Sequence, residues 1–159
     1  MSDRPRTSPS GTPKRRLLPD EMAAWRGFLR IHAGLMRQLD AELLEEHGLP
    51  LSHYDVLLQL AEVGGSLRMS DLANAVLLSR SGLTRLVDQL ERQGLVSRKR
   101  SSADARGVEA ILTETGWERL RAAAPTHVRG VRRLFLAPLG AERQAALAEA
   151  WETLDRSGG

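Results

Sequence analysis

The chain of 159 residues contains no cysteine. Disulfides, thiolate metal sites and thiol-based redox sensing are thereby excluded. No apolar run approaches the ~20 residues of a membrane span, and residues 1–19 lack the apolar core of a signal peptide. Catalytic motifs are also missing: there is no glycine-rich phosphate loop, no H-E-x-x-H and no nucleophile elbow. The four histidines, His32, His47, His53 and His127, are scattered and read as ordinary surface or partly buried side chains rather than metal ligands. Ser79 and Ser81 flank Arg80, but no base lies near them in the sequence. No enzyme, metal or cofactor is expected.

What the chain does have is an uneven distribution of charge. The net +3 conceals a basic stretch, residues 79–106, with seven cations against three acids. Residues 1–19 carry five against one, whereas residues 20–78 carry four against nine. Positive potential is therefore gathered in two places, as nucleic-acid binding requires. Nearly all the cations are arginine, which suits bidentate hydrogen bonding; the codon bias of a GC-rich genome would give the same excess. The first of these basic stretches in chain order, with Pro5, Pro9, Pro13 and Pro19 among serines and arginines, is expected to be a disordered tail.

The second basic stretch lies in a continuous module, residues 69–112. Its centre is an amphipathic helix over residues 80–93, with Leu83, Leu86, Val87 and Leu90 spaced i, i+3, i+4, i+7 as one buried stripe. At about 100° per residue, Arg80, Ser81, Thr84, Arg85, Asp88 and Gln89 fall on the opposite face. Arginines, hydroxyls and an amide are the side chains that bond base edges and phosphates in the major groove. Ser70 is expected to cap a short helix over residues 71–76, Leu77 and Leu78 to fill a turn, and Ser79 to cap the second helix. This is a helix-turn-helix pattern. Gly94 ends the second helix, and residues 95–100 and 108–112 read as the strands of a hairpin around the turn 101–107. That hairpin carries Arg98, Lys99, Arg100 and Arg106, and makes a wing able to follow phosphates or enter the minor groove. Asp104 is placed to hold the Arg106 guanidinium in one rotamer.

The remainder reads as helix. A periodic stretch over residues 20–47 stops at Gly48 and Pro50, and Ser52 with Asp55 resembles a capping box for the next helix. Thr113 is expected to cap a helix interrupted near Pro125 and ending before Pro138 and Gly140. A last helix is expected over residues 141–155, with Leu147, Trp151 and Leu154 on one side. Long terminal helices without a partner inside the domain imply a homodimer.

Residues 80–93, the D-A-R of 104–106 and the ILTETG of 111–116 resemble the winged helix of MarR-type transcriptional regulators. LSHYDVLLQLAEVGG (51–65) is similar to the family's helix before the helix-turn-helix, and LGAERQAALAEAWETL (139–154) to its final helix. The resemblance covers residues 20–154. It implies a mainly α fold, a single domain over 20–155 with a DNA-binding lobe at 51–112 and dimerisation helices at 20–47 and 113–155. It also implies a repressor on a pseudo-palindromic operator, at the nucleoid in the cytoplasm of a bacterium or archaeon. The DNA-contacting set is then Ser79, Arg80, Ser81, Thr84, Arg85, Gln89, Arg98, Lys99, Arg100, Asp104 and Arg106. A cleft between the first helix and the winged module is implied too. Trp25, Phe28, His32, Tyr54 and Leu57 are its candidate lining for a small aromatic or anionic effector; simple core packing is the competing reading of these residues. A second functional class stays open, a winged-helix module that docks a protein without specific DNA binding. Such a face should carry exposed aromatics or methionine, and residues 80–93 carry none.

Overall fold

The computed structural model describes residues 16–76, 78–100 and 107–157. The expectations for the tail as far as residue 15, for Leu77, and for Asp104 and Arg106 lie outside them. Packing divides the chain into two compact units, 1–33 and 34–159.

Helix α1 spans Pro19–His47. Proline at the first helical position gives up only an amide that the helix could not use. The Leu18 N–H donates to Glu21 Oε2 at 2.8 Å, one half of a capping box. Within the first unit Trp25 stacks on Phe28 and Phe28 meets His32 at a tilt, with neighbouring ring centroids 6.0 Å apart in each pair. Trp25, Phe28, Leu29 and Ile31 are all exposed.

In the second unit, α2 (Leu51–Glu62) is followed by β1 (Ser66–Arg68), α3 (Met69–Ala75) and α4 (Arg80–Arg92). Strands β2 (Val96–Arg100) and β3 (Val108–Leu112) form the base of the wing, and α5 covers Glu114–Val131. The antiparallel sheet has the order β1-β3-β2, with Leu67 and Arg98 both opposite Ala110 and Val96 opposite Leu112. The core gathers Val56, Leu57 and Leu60 from α2, Leu72 from α3, the stripe Leu83, Leu86, Val87, Leu90 from α4, and Val96, Ala110 and Leu112 from the sheet. That stripe is the one expected from the helical period.

Two caps form as expected. Ser79 Oγ accepts from the Gly82 N–H, and Thr113 Oγ1 accepts from the Gly116 N–H. Two do not. α2 begins at Leu51 without a side-chain cap at its N-terminus; the Leu51 N–H instead donates to Asp40 Oδ1 on α1 at 2.8 Å. Ser52 therefore sits inside the first turn and forms no capping box with Asp55. α3 likewise begins at Met69 after Arg68, and the Ser70 hydroxyl lies 3.3 Å from Asp71 Oδ1 rather than on a backbone amide.

Pro125 does not interrupt α5. A proline inside a helix costs about 3 kcal/mol through its missing amide and its ring. Here the flanking turns are held from outside. The Thr126 hydroxyl donates to Glu46 Oε2 at 2.7 Å and accepts from His47 Nε2 at 2.8 Å, while Arg129 pairs with Glu46 and Arg133 with Glu42. The helical path changes further on, in a wide π turn at Arg132–Leu136 and at Gly140, whose φ of 70° and ψ of 164° suit only glycine. The final helix, α6, is assigned to Ala137–Ser157 across that break, so its regular run starts after Gly140 as expected. Among the described residues no helix is long and apolar enough to cross a membrane.

Candidate nucleic-acid interface

Burial of the leucine stripe fixes the rotation of α4, and rotation decides what it shows to solvent. Arg80, Ser81, Thr84, Arg85 and Gln89 are exposed, and Asp88 partly so. Ser79 caps the helix through its oxygen at 3.1 Å from Gly82 N, and its hydroxyl lies 3.3 Å from that of Ser81. The Thr84 hydroxyl donates back to the Arg80 carbonyl at 2.8 Å, leaving its oxygen as an acceptor. Arg80 and Arg85 thus project from a helix whose N-terminus is firmly terminated, beside hydroxyls already oriented by local bonds.

The wing cations divide into two kinds. Lys99 and Arg100 are exposed on β2, opposite Glu109 and Val108. Arg98 alternates onto the face that meets α4 and is drawn inward. Its guanidinium bonds Asp88 Oδ1 and the Thr84 carbonyl, and lies 3.4 Å from Glu91 Oε2. Its backbone N–H donates to Glu91 Oε1 at 3.2 Å. Arg98 therefore acts first as a strut between wing and recognition helix. Gln89 is also engaged, its Oε1 lying 3.1 Å from Nε2 of the buried His53 on α2. Neither link was visible in the sequence, because each joins residues brought together only by packing.

A groove of about 400 Å³ opens beside α4, lined by Arg68, Ser70, Arg80 and Thr84 with Met69, Leu83, Gly107 and Val108. Arg68 and Ser70 join the candidate site here; the signal for them was an Arg-x-Ser at the start of the helix-turn-helix.

An α3–turn–α4 unit followed by a hairpin, beside a basic groove, is a winged helix with its reading face open. A profile described as MarR family matches residues 47–107. The fold is similar to that of AbsC, a MarR family transcriptional regulator from Streptomyces coelicolor, at a TM-score of 0.84 and 37% identity over 91% of this chain and 97% of that one. It is equally similar, with TM-score 0.84 and 35% identity, to Sco3205 from the same organism, a MarR family regulator solved in complex with DNA; the match covers 91% of this chain and 94% of that one. The chain belongs to the MarR family. Among curated MarR-type relatives, the Escherichia coli K12 transcriptional repressor MprA is 31% identical over 97 residues, 60% of this chain and 55% of that one. The match thus spans just over half the length of that curated relative.

A second feature of the MarR domain is a cleft of about 590 Å³ within residues 34–159. Met36, Leu51, Tyr54 and Leu58 give it apolar walls, and Arg37, Asp40, Ser52, Asp55 and His127 its polar groups. Tyr54 and His127 meet at 4.6 Å between ring centroids. Burial pushes the Asp55 carboxyl above its usual range and the His127 ring below its own, the Asp55 charge drawing His127 part of the way back. His127 Nδ1 is buried and has no hydrogen-bond partner among the described residues. Of the residues expected to line an effector site, Tyr54 is on this cleft, whereas Leu57 is wholly enclosed in the core. His32 is exposed, in the aromatic row of α1. His127 was missed because its partner Tyr54 lies far away in sequence, and a lone histidine on a helix carries no spacing signal.

Proposed function

We propose that the chain is a sequence-specific DNA-binding repressor that reads a pseudo-palindromic operator as a homodimer. The observation that carries this reading is the exposed face of α4. It presents Arg80, Ser81, Thr84 and Arg85 to solvent from a capped helix, the donors and acceptors that a major-groove edge needs. Lys99 and Arg100 on the neighbouring strand suit phosphates. The alternative, a winged helix that docks a protein, lacks support, since the outward face of α4 carries no aromatic or methionine.

The exposed apolar side chains of α1 and of α6 support association of two copies. Leu29 and Ile31 are 46% and 52% exposed, and Trp151 and Leu154 are 40% and 60%, more apolar surface than long helices leave open without a partner. Half-site centres about one helical turn apart, ~10–10.5 bp, follow from two recognition helices related by a twofold axis. The protein acts at the nucleoid in the cytoplasm and has no enzymatic role. The cleft bearing Tyr54 and His127 supports control by a small aromatic or anionic effector.

The deciding experiment is a gel shift with DNA from upstream of the chain's own gene, run over a range of salt. Specific retention with log–log salt dependence of several phosphate equivalents is expected. Retention no stronger than that of unrelated duplexes overturns the reading.

A further inference from the structure

Thr84 lies on the outward face of α4, exposed and one helical turn beyond Arg80. Its hydroxyl donates to the Arg80 carbonyl at 2.8 Å. A hydroxyl has a single hydrogen, and here that hydrogen serves the helix itself. The backbone of this turn is also held, since the Thr84 carbonyl accepts from the Arg98 guanidinium at 3.2 Å. With Oγ1 turned back along the helix, the other branch of the side chain, the methyl group, is left for a base edge. Thr84 also lines the groove beside α4, together with Met69, Leu83 and Val108, and Val108 is 39% exposed. The wall to which Thr84 belongs thus offers apolar surface beside its cations.

We infer that Thr84 is a specificity-determining residue that reads thymine by packing its methyl group on the C5-methyl of the base, rather than by donating a hydrogen bond. Of the four bases, only thymine carries a methyl group in the major groove. The Thr84 oxygen keeps its acceptor lone pairs. An acceptor, however, serves adenine N6 and cytosine N4 alike, so it does not separate an A·T pair from a G·C pair; the methyl contact does. The inference rests on the DNA-binding reading proposed above.

The test is selection of duplexes from a randomised pool by the full-length protein, comparing wild type with Thr84→Ala, Thr84→Val and Thr84→Ser. The position whose preference weakens in Thr84→Ala is the one Thr84 reads, and wild type should hold thymine there. Thr84→Val keeps the methyl without the hydroxyl and should retain that preference; Thr84→Ser keeps the hydroxyl without the methyl and should lose it. Uracil in place of thymine at that position removes only the C5-methyl. It should weaken binding by wild type and Thr84→Val about 4-fold for each half-site, the worth of one buried methyl group, and leave Thr84→Ser unchanged. A wild-type preference for another base, an unaltered profile in Thr84→Ala, thymine kept by Thr84→Ser but lost by Thr84→Val, or wild-type affinity indifferent to uracil overturns the inference while leaving the operator reading intact. No enrichment of any duplex by wild type overturns the operator reading itself. Should a variant fail to fold, the uracil substitution with wild type alone decides.

Discussion

The Arg98 guanidinium bonds the Asp88 carboxylate across the joint between β2 and α4. A cation on the wing and an acid on the reading helix, which charge counting sets against each other in DNA binding, are here one structural element. Glu91 completes the strut through the Arg98 backbone N–H.

Asp88→Ala is therefore expected to weaken operator binding although it removes a negative charge from the DNA-facing side. The side chains are 26% and 47% exposed, so the pair contributes about 1 kcal/mol or less to folding stability. A melting temperature near that of wild type, with weaker retention in a gel shift, is the expected combination. Tighter binding by Asp88→Ala would show that the wing needs no strut.

Arg85→Ala should cost ~1–3 kcal/mol of operator affinity and relax discrimination at one base pair of each half-site. Lys99→Ala and Arg100→Ala should each weaken all sequences alike and reduce the salt slope by about one phosphate equivalent per wing. Arg98→Ala should lower affinity without so clean a change in slope, because its charge is spent on Asp88 and Glu91. Measuring affinity against salt for the three wing variants separates these roles.

How far the sequence revealed this arrangement depends on whether each feature is local. The buried stripe of α4, the Ser79 and Thr113 caps and the stop at Gly94 need only a few consecutive residues, and all appear. β1 escaped notice because three residues show no alternation; it is a strand only by pairing with β3. The start of α2 was misplaced for the same reason, its first amide being satisfied by Asp40 on another helix. Pro125 obeys local rules that packing by Thr126 and Arg129 overrides. In the candidate site, side-chain types were legible along α4, but the engagement of Gln89 by His53 and of Arg98 by Asp88 is long-range.

Two glycines should respond to alanine in different ways. A Cβ on Gly116 would lie 2.1 Å from the Leu95 carbonyl oxygen and 2.7 Å from Leu112 Cδ1. The first obstacle is backbone, so α5 must shift from the sheet, and a loss of about 3 kcal/mol or more is expected on the scale of overpacked cores. At Gly94 a Cβ meets nothing within 4 Å, and only the positive φ of 71° resists. About 1–2 kcal/mol is expected there. Chemical denaturation of the two variants should rank them in that order; equal losses would mean that Gly116 is not a contact point.

The cleft pair Asp55 and His127 should give stability a pH signature. Burial depresses the His127 value below its ordinary 6.5, so its contribution is present above 6.5 and is lost as pH falls through the folded value. Asp55 shifts the other way, upward from 3.8; its contribution is present below 3.8 and is lost as pH rises through the folded value. Both side chains are half-buried on the cleft. Between pH 3.8 and 6.5, Asp55→Asn should remove the loss of stability that rising pH brings, and His127→Gln should flatten the decline that falling pH brings. Thermal melts across that interval check both; a decline unaltered in His127→Gln would assign the titration elsewhere.

Association of two copies is the most exposed part of the functional reading, and Ile31 and Leu154 are the residues that test it. Both are large, apolar and more than half exposed, at 52% and 60%. A charge placed in a shared apolar face is buried without a partner, which dimers do not tolerate. Ile31→Glu and Leu154→Glu should each sediment as monomers at micromolar concentration with undiminished helical circular dichroism. Each monomer then meets one half-site alone and loses the effective concentration that a tethered second module supplies, so operator affinity should drop by about 10²–10⁴-fold. The affinity for a single half-site should stay at the wild-type value, since the α4 face is untouched. Wild-type protein that already sediments as a folded monomer would remove the dimer from the mechanism.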